Sequence, residues 1–392
     1  MAVRMIKPGI YSVGSIDWDR RLFDELIPLP DGTTYNAYLV NGSEKTALID
    51  TVDPTKESEL LTNLRKIEVE KIDYVIANHA EQDHSGAIPA ILNAYPDAKV
   101  VTNEKCKKFL IDLLHIQEDR FEVIEDGDEI SLGDKTLKFF ITPWVHWPET
   151  MVTYLIEDRI LFSCDFFGSH LATSELFAEQ GEELLRSAKR YYAEIMMPFR
   201  ANIKKNMEKI SSLDMEMIAP SHGPIYKNPD FIISAYEDWI SDRVKNKVVV
   251  FYVSMHGSTE NMVMHFVDLL MERGIPVKPF NLTKTDVGEL AMALVDAATV
   301  IVGTPMVLTG PHPSALYAVY LLNILRPKTK FLSVIGSYGW GGKFVEIIKG
   351  LLTNVKAELL EPVVVRGCPK EEDLKDLERL ADEILEKHER FK

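Results

Sequence analysis

Four side chains able to bind metal fall within six positions, His79-Ala-Glu81-Gln-Asp83-His84, directly after the apolar run Ile72 to Ala77. The run reads as a buried strand, so these residues stand where that strand ends. An extended chain repeats every second residue, which puts His79, Glu81 and Asp83 on one face as the chain turns, with His84 beside them at the start of the next helix. The bland alternative is an exposed acidic turn in which Asp83 caps that helix. Three further candidates each close an apolar stretch: His146 after Phe139-Phe-Ile-Thr-Pro-Trp-Val, Asp165 after Ile160-Leu-Phe-Ser-Cys, and His222 after Met217-Ile-Ala-Pro-Ser. Singly, each also reads as a satisfied buried histidine or a helix cap. Together they supply four histidines and three carboxylates at strand ends, enough for two metals with open positions.

Glu81 decides the kind of metal. The metallo-β-lactamase-like hydrolases carry a closely similar cluster with histidine in this second position, where imidazole suits zinc. A carboxylate makes the site harder and more anionic, shifting the balance toward iron or manganese and so toward redox chemistry. The whole pattern, H-x-E-x-D-H followed at long intervals by a histidine, an aspartate and a histidine, resembles that of the flavodiiron proteins, also called A-type flavoproteins. The resemblance covers nearly the whole chain. It implies one iron on His79, Glu81 and His146, a second on Asp83, His84 and His222, and Asp165 as the bridge. In some members the histidine matching His84 is turned away from the metal.

The second half makes an independent case. The run Val248 to Val253 reads as a buried strand, followed by Ser254-Met255-His256-Gly257-Ser258-Thr259 and then a helical pattern, Met262, Val263, Phe266, Val267, Leu270. A small, hydroxyl-rich loop between strand and helix suits a phosphate, because backbone N–H groups and the helix dipole favour an anion there. Neither a Gly-Lys-Ser/Thr loop nor G-x-G-x-x-G is present, which disfavours nucleotide triphosphatases and dinucleotide binders. Two later strand-end loops join it: one holds Thr304, Pro305, Met306 and Gly310, the other Ser337, Tyr338, Gly339, Trp340 and Gly341 and runs to Gly342. All three would meet near the switch point of a doubly wound sheet. The loop resembles that of flavodoxins, which implies FMN, with Trp340 as the stacking plate.

At 392 residues the chain has room for more than one domain. Alternating segments such as Ala37-Tyr-Leu-Val in the first part fit a four-layer αββα sandwich of the metallo-β-lactamase type. The second part alternates strand and helix, as in a flavodoxin-like doubly wound parallel sheet. The boundary falls in the polar stretch Ser241 to Asn246, giving a diiron domain at 1–246 and an FMN domain at 247–392. No apolar run approaches the roughly 20 residues of a membrane span and no signal peptide is evident, so a soluble cytoplasmic protein is expected. Cys106, Cys164 and Cys368 are isolated, so no disulfide framework and no C-x-x-C knuckle is expected. The formal charge of −16 disfavours nucleic acid.

Reducing dioxygen to two waters takes four electrons, and reducing two nitric oxide molecules to nitrous oxide takes two. A reduced flavin and a diferrous pair together hold four. The resemblance thus implies a dioxygen or nitric oxide reductase with a separate rubredoxin-like donor, because no fused rubredoxin is seen. It also implies a head-to-tail homodimer or dimer of dimers. Trp147, His170 and Tyr192 are candidate pocket residues. A zinc hydrolase with an accessory flavodoxin-like half and a non-catalytic flavin carrier are the alternatives. The missing Pro-Cys-x-x-Cys disfavours a zinc deaminase.

Overall fold

The computed structural model describes residues 3–341 and 343–391, so Gly342 lies outside the described residues. The chain forms two compact units, Met1–Ile240 and Ser241–Lys392. No helix among the described residues is long and apolar enough to cross a membrane.

The first unit is an αββα sandwich. One sheet has seven strands, in the order Arg4–Lys7, Ile10–Ser12, Tyr38–Asn41, Thr46–Ile49, Tyr74–Ile76, Lys99–Thr102 and Phe121–Val123. The other has five, from Glu129–Ser131 through Thr136–Ile141, Met151–Leu155 and Ile160–Cys164 to Met217–Pro220. Side-chain alternation decides which face meets which layer. Tyr38, Val40, Ala47, Ile49 and Ile76 pack with Phe139, Leu155, Ile160 and Phe162 of the facing sheet. Their neighbours Leu39, Leu48 and Val75 pack outward on Leu60 and Leu64 of helix Glu57–Lys66, Ile88 and Ile91 of helix Ile88–Ala94, and Cys106 and Leu110 of helix Glu104–Leu114. The i, i+3 or i, i+4 spacing of each pair gives its helix one apolar stripe. Helix Arg200–Ile210 is tied to the second sheet by Asn206 Nδ2 donating to Pro143 O at 3.0 Å and Lys209 Nζ donating to Ile141 O at 2.7 Å.

Two strand ends differ from their sequence reading. The run Ile72 to Ala77 forms a strand only over Tyr74–Ile76, and Asn78 then gives both its N–H and its side-chain amide to Asp50, each at 2.8 Å. The strand before His146 stops at Ile141, because Pro143 cannot donate to a ladder; Thr150 holds the returning loop through Val145 N at 3.3 Å. His146 therefore stands on a loop rather than at a strand end. After His79 the chain makes one short helix, Gln82–Ser85, with Asp83 inside it, so Asp83 is not a cap.

The second unit holds a parallel sheet in the order Val277–Asn281, Lys245–Tyr252, Ala297–Val307, Phe331–Tyr338, and then Glu358–Leu359 with Val363–Arg366. In chain order this is 2-1-3-4-5, the flavodoxin-like arrangement. Alternation again assigns the faces. Val248, Val250, Ile301 and Ile335 pack on one side with helices Ser258–Glu272 and Glu371–His388. Val249, Phe251, Val300 and Val334 pack on the other with helices Val287–Leu294, Pro313–Leu325 and Phe344–Leu351. The first strand begins at Lys245, inside the stretch read as a linker, because Asn246 is held by His388 Nδ1 at 2.8 Å and Lys245 N donates to Asp296 O at 2.7 Å.

Candidate metal centre and cleft

The seven residues singled out by sequence converge on one buried pocket at the ends of strands from both sheets of the first unit. They fall into two sets. His79 Nε2 and His146 Nε2 each lie 3.1 Å from Glu81 Oε2, and 3.5 and 3.2 Å from Asp165 Oδ2. His84 Nε2 lies 3.3 Å from Asp83 Oδ1 and 3.0 Å from Asp165 Oδ1, and His222 Nε2 lies 3.1 Å from Asp83 Oδ2 and 3.4 Å from Asp165 Oδ1. Asp165 thus turns one oxygen to each set. His84 faces inward, not away.

The donor set fits a pair of irons. Both oxygens of Asp83 and Oδ2 of Asp165 are buried with no ordinary hydrogen-bond donor and face histidine Nε2 atoms at 3.1 to 3.5 Å. Carboxylate oxygens and ring nitrogens crowded this closely away from water need a proton or a cation between them. A pocket of imidazole nitrogens and carboxylate oxygens is the chemistry iron takes.

Charge compensation is visible without a metal. Burial opposes protonation of His146 and His222, but Asp165 and Glu81 hold His146 up at about 9, and Asp165 and Asp83 hold His222 up at about 10. Burial would raise Glu81, yet bonds from His146 and His79 keep it well below the usual carboxylate range. The stability sign follows. A histidine raised above about 6.5 contributes stability fully below that value and loses it as pH passes through the raised value. Metal-free protein is expected to lose thermal stability as pH rises through 9 and 10, whereas iron-loaded protein, with neutral imidazole ligands, is not. Parallel melting curves across pH on stripped and loaded protein check this; identical pH dependence would refute it.

In the second unit the three loops define a cleft of about 140 Å³. It is lined by Ser254, Met255, His256, Ser258 and Thr259 from the first loop, Pro305 and Met306 from the second, and Ser337, Tyr338 and Gly339 from the third. Thr259 and Ser337 hydroxyls meet at 3.0 Å, joining first and third loops. Gly257 takes φ +87 at the start of helix Ser258–Glu272, and a Cβ on Gly257 or on Gly339 would enter open space. This open, hydroxyl-lined cradle at a helix N-terminus fits a phosphate-bearing flavin. Besides Gly257, four residues expected in the site from the sequence lie off the lining of the cleft. Thr304 is buried and accepts from His312 N at 3.1 Å, Gly310 pairs with Val307 in a hairpin, Gly341 takes φ +78 against Met306, and Trp340 is 68% exposed.

Residues 33–223 match the family model of the ODP family beta lactamase, and residues 250–380 match that of flavodoxin. A nitric oxide reductase of Moorella thermoacetica is 38% identical, over 97% of both chains. The solved rubredoxin oxygen:oxidoreductase of Desulfovibrio gigas superposes with a TM-score of 0.96 at 33% identity, over 99% of each chain. The flavodiiron protein of Giardia intestinalis superposes with a TM-score of 0.91 at 28% identity, over 99% of this chain and 98% of that one. The chain belongs to the flavodiiron family.

Sequence reasoning missed several supports of this flavodiiron site, among them Glu149, Thr34 and Tyr191, whereas the expected pocket residues His170 and Trp147 do stand beside its histidines. Glu149 is fully buried, holds His79 Nδ1 at 2.7 Å and accepts from Ala80 N at 3.1 Å, which turns His79 Nε2 into the pocket. Thr34 O does the same for His222 Nδ1 at 2.6 Å. Tyr191, rather than the expected Tyr192, reaches the centre: its hydroxyl donates to Asp165 Oδ1 at 2.8 Å, while the Tyr192 hydroxyl donates to Trp239 O at 3.3 Å. His170 is buried beside His222, with Thr33 Oγ1 on its Nδ1 at 2.8 Å; burial and the neighbouring His222 push it well below the usual histidine range. Trp147 packs edge-on to His79 at 5.0 Å. Cys164 lies within reach of His84 and Asp165, and burial pushes its thiol well up. In the second unit Gly367, with φ +80, lines the cleft from a fourth strand end. The acid three positions after His146 was the one available signal for Glu149.

Proposed function

We propose that His79, Glu81 and His146 hold one iron, that Asp83, His84 and His222 hold the other, and that Asp165 bridges them, in a diiron domain at 1–246. In the FMN domain at 247–392, the Ser254 to Thr259 loop takes the FMN phosphate and Trp340 stacks on the flavin ring. The chain is an oxidoreductase that reduces dioxygen to water, nitric oxide to nitrous oxide, or both. The single observation that carries the ligand assignment is the split of Asp165, Oδ1 toward His84 and His222 and Oδ2 toward His79 and His146.

When bound, the irons and FMN supply one- and two-electron transfer to a small gas. The chain's own residues hold and shape the site. Glu149 and Thr34 O fix the two histidines by their outer nitrogens. Asp83, His79 and His222 are closed off from water, whereas the side chains of Glu81 and His146 keep 14 and 13% of their surface, which leaves the gas its approach from that side. Iron analysis tests the reading: protein made with iron in excess should hold close to two irons per chain and consume gas from a reduced donor. Two zincs and no gas uptake would favour the hydrolase instead.

The proposal extends to a rubredoxin-like donor, a cytoplasmic location, and a head-to-tail homodimer or dimer of dimers. For the flavin, FMN should bind far more tightly than riboflavin, which lacks the phosphate. Trp340→Ala should weaken FMN by roughly two- to tenfold, as loss of an aromatic contact worth about 0.5–1.5 kcal/mol requires, or shift its potential. A fluorescence titration and a redox titration read both; an unchanged pair of values removes Trp340 from the site.

A further inference from the structure

The two halves of the metal pocket are framed unequally. In the second set the side chains of Asp83, His84 and His222 are 4, 2 and 1% exposed, whereas in the first His79 is closed off but Glu81 and His146 reach solvent. The backbone deepens the difference. Asn36, buried just after strand Thr33–Tyr35, gives its N–H to Ser221 O at 2.8 Å and its side-chain amide to Pro220 O and Gly223 O at 2.8 and 2.7 Å. One residue thus grips the chain on both sides of His222. Thr34 Oγ1 accepts from Gly223 N at 2.7 Å, and Ser221 N donates to Cys164 O at 2.8 Å. A Cβ on Gly223 would stand 2.1 Å from Ser169 Oγ, so the turn is packed as well as bonded. His84 is tied in the same way, its carbonyl accepting from Thr51 N and Thr51 Oγ1 at 2.7 and 2.6 Å. His146 has no such frame. Its neighbours bond within their own loop, Trp144 N to Trp147 O at 2.6 Å and Val145 N to Thr150 Oγ1 at 3.3 Å, and among the described residues no hydrogen bond reaches His146 Nδ1.

Resting on the diiron reading above, we propose that the two positions load in order and that Asn36 sets the order. The set of Asp83, His84 and His222 takes the first iron and keeps it. The set of His79, Glu81 and His146 takes the second and exchanges it with solvent. Release of a metal needs a ligand to swing off and water or a chelator to take its place. In a close-packed, dry surround a detached side chain has nowhere to go and returns to the metal. A side chain at the surface on a loop held only by itself can leave and let water in. Asn36 touches neither metal nor gas: it is a positioning residue, acting through the backbone on each side of His222. Glu149 holds His79 as firmly, but one anchored ligand of three does not close a set whose other two reach solvent. A chain made with too little iron therefore carries one iron at the His222 set, and a competing metal enters beside Glu81.

The test follows iron leaving the reduced, iron- and FMN-loaded protein into excess ferrous chelator, without oxygen, by the colour of the chelate. The unaltered chain should release one iron per chain in a fast phase and one in a slow phase. Protein stopped between the phases and crystallised should show anomalous scattering from iron beside Asp83, His84 and His222 and none beside Glu81. In Asn36→Ala the slow phase should quicken by about tenfold, the low end for loss of a support outside the metal ligands, with the fast phase unchanged. A general loosening of the fold would quicken both phases instead. Asn36→Asp, which keeps the shape and loses the amide donors, should behave as Asn36→Ala does. Release of both irons in one phase, or a retained iron beside Glu81, overturns the order and leaves the diiron reading standing; neither result depends on an Asn36 variant that folds. A slow phase unchanged in both variants, or both phases quickened alike, overturns the role of Asn36. A chain that takes up no iron overturns the diiron reading itself.

Discussion

Replacing Glu81 by histidine should exchange iron for zinc in the purified protein and drop gas reduction to background. Glu81 Oε2 stands 3.1 Å from both His79 Nε2 and His146 Nε2, on the more open side of the pocket. With histidine there, the first set becomes three imidazoles and a carboxylate, a donor set close to those of catalytic zinc sites. Zinc has no accessible redox change, so a correct fold with the wrong metal is inert toward dioxygen and nitric oxide. The substitution also removes one of the two carboxylates, the other being Asp165, that hold His146 protonated in the metal-free state, so a smaller proton release on metal binding should accompany it. Expression in medium with equal iron and zinc, followed by metal analysis and gas-electrode assay, gives both readings. If Glu81→His retains two irons and turns over, metal choice lies in Asp83, Asp165 or the outer-nitrogen partners, and Glu81 is not the selector.

What the sequence made legible was the first-contact chemistry, because it is written in residue type and in strand-end position. His79, Glu81, Asp83 and His84 share six positions, and any fold that ends a strand there must gather them. The supports were hidden for physical reasons. Thr34 acts through a backbone carbonyl, which every residue has, so no side-chain signal could mark it. Glu149 carries an informative side chain, but its role depends on the loop from Thr142 to Thr150 folding back, a consequence of Pro143 and Thr150 that no periodicity encodes. The choice of Tyr192 over Tyr191 is a phase error. Adjacent helical residues point about 100° apart, and a π-helical turn beginning at Tyr192 upsets the count that would have separated them. In the second unit the continuous apolar run Val248 to Val253 made the first strand plain, whereas Gly367 entered the cleft through a fourth strand end with no hydroxyl-rich loop to announce it. The start of the second unit was blurred because Lys245 and Asn246 look like linker until His388 and Asp296, more than 50 residues away in each case, are folded beside them.

Mixing two inactive variants should restore activity if the proposed head-to-tail dimer is correct. One variant lacks metal ligands, His79→Ala with Asp165→Ala; the other lacks flavin contacts, Trp340→Ala with Thr259→Ala. Closed two-fold dimers are the commonest soluble assembly, and in a head-to-tail pair each subunit's flavin serves the partner's irons. A mixed dimer then holds one complete pathway, flavin from the first variant and irons from the second, and one empty pathway. Random exchange makes half of the dimers mixed, so the mixture should reach about a quarter of the unmodified activity. Transfer within a single chain gives a different number. Each variant would then lack one half of every pathway and the mixture would stay at background. The two outcomes are far enough apart to read even if exchange is incomplete, provided tagged subunits show by native mass spectrometry what fraction of dimers is mixed. A fraction near one half with background activity would mean that electrons pass within one chain and that the head-to-tail dimer is wrong.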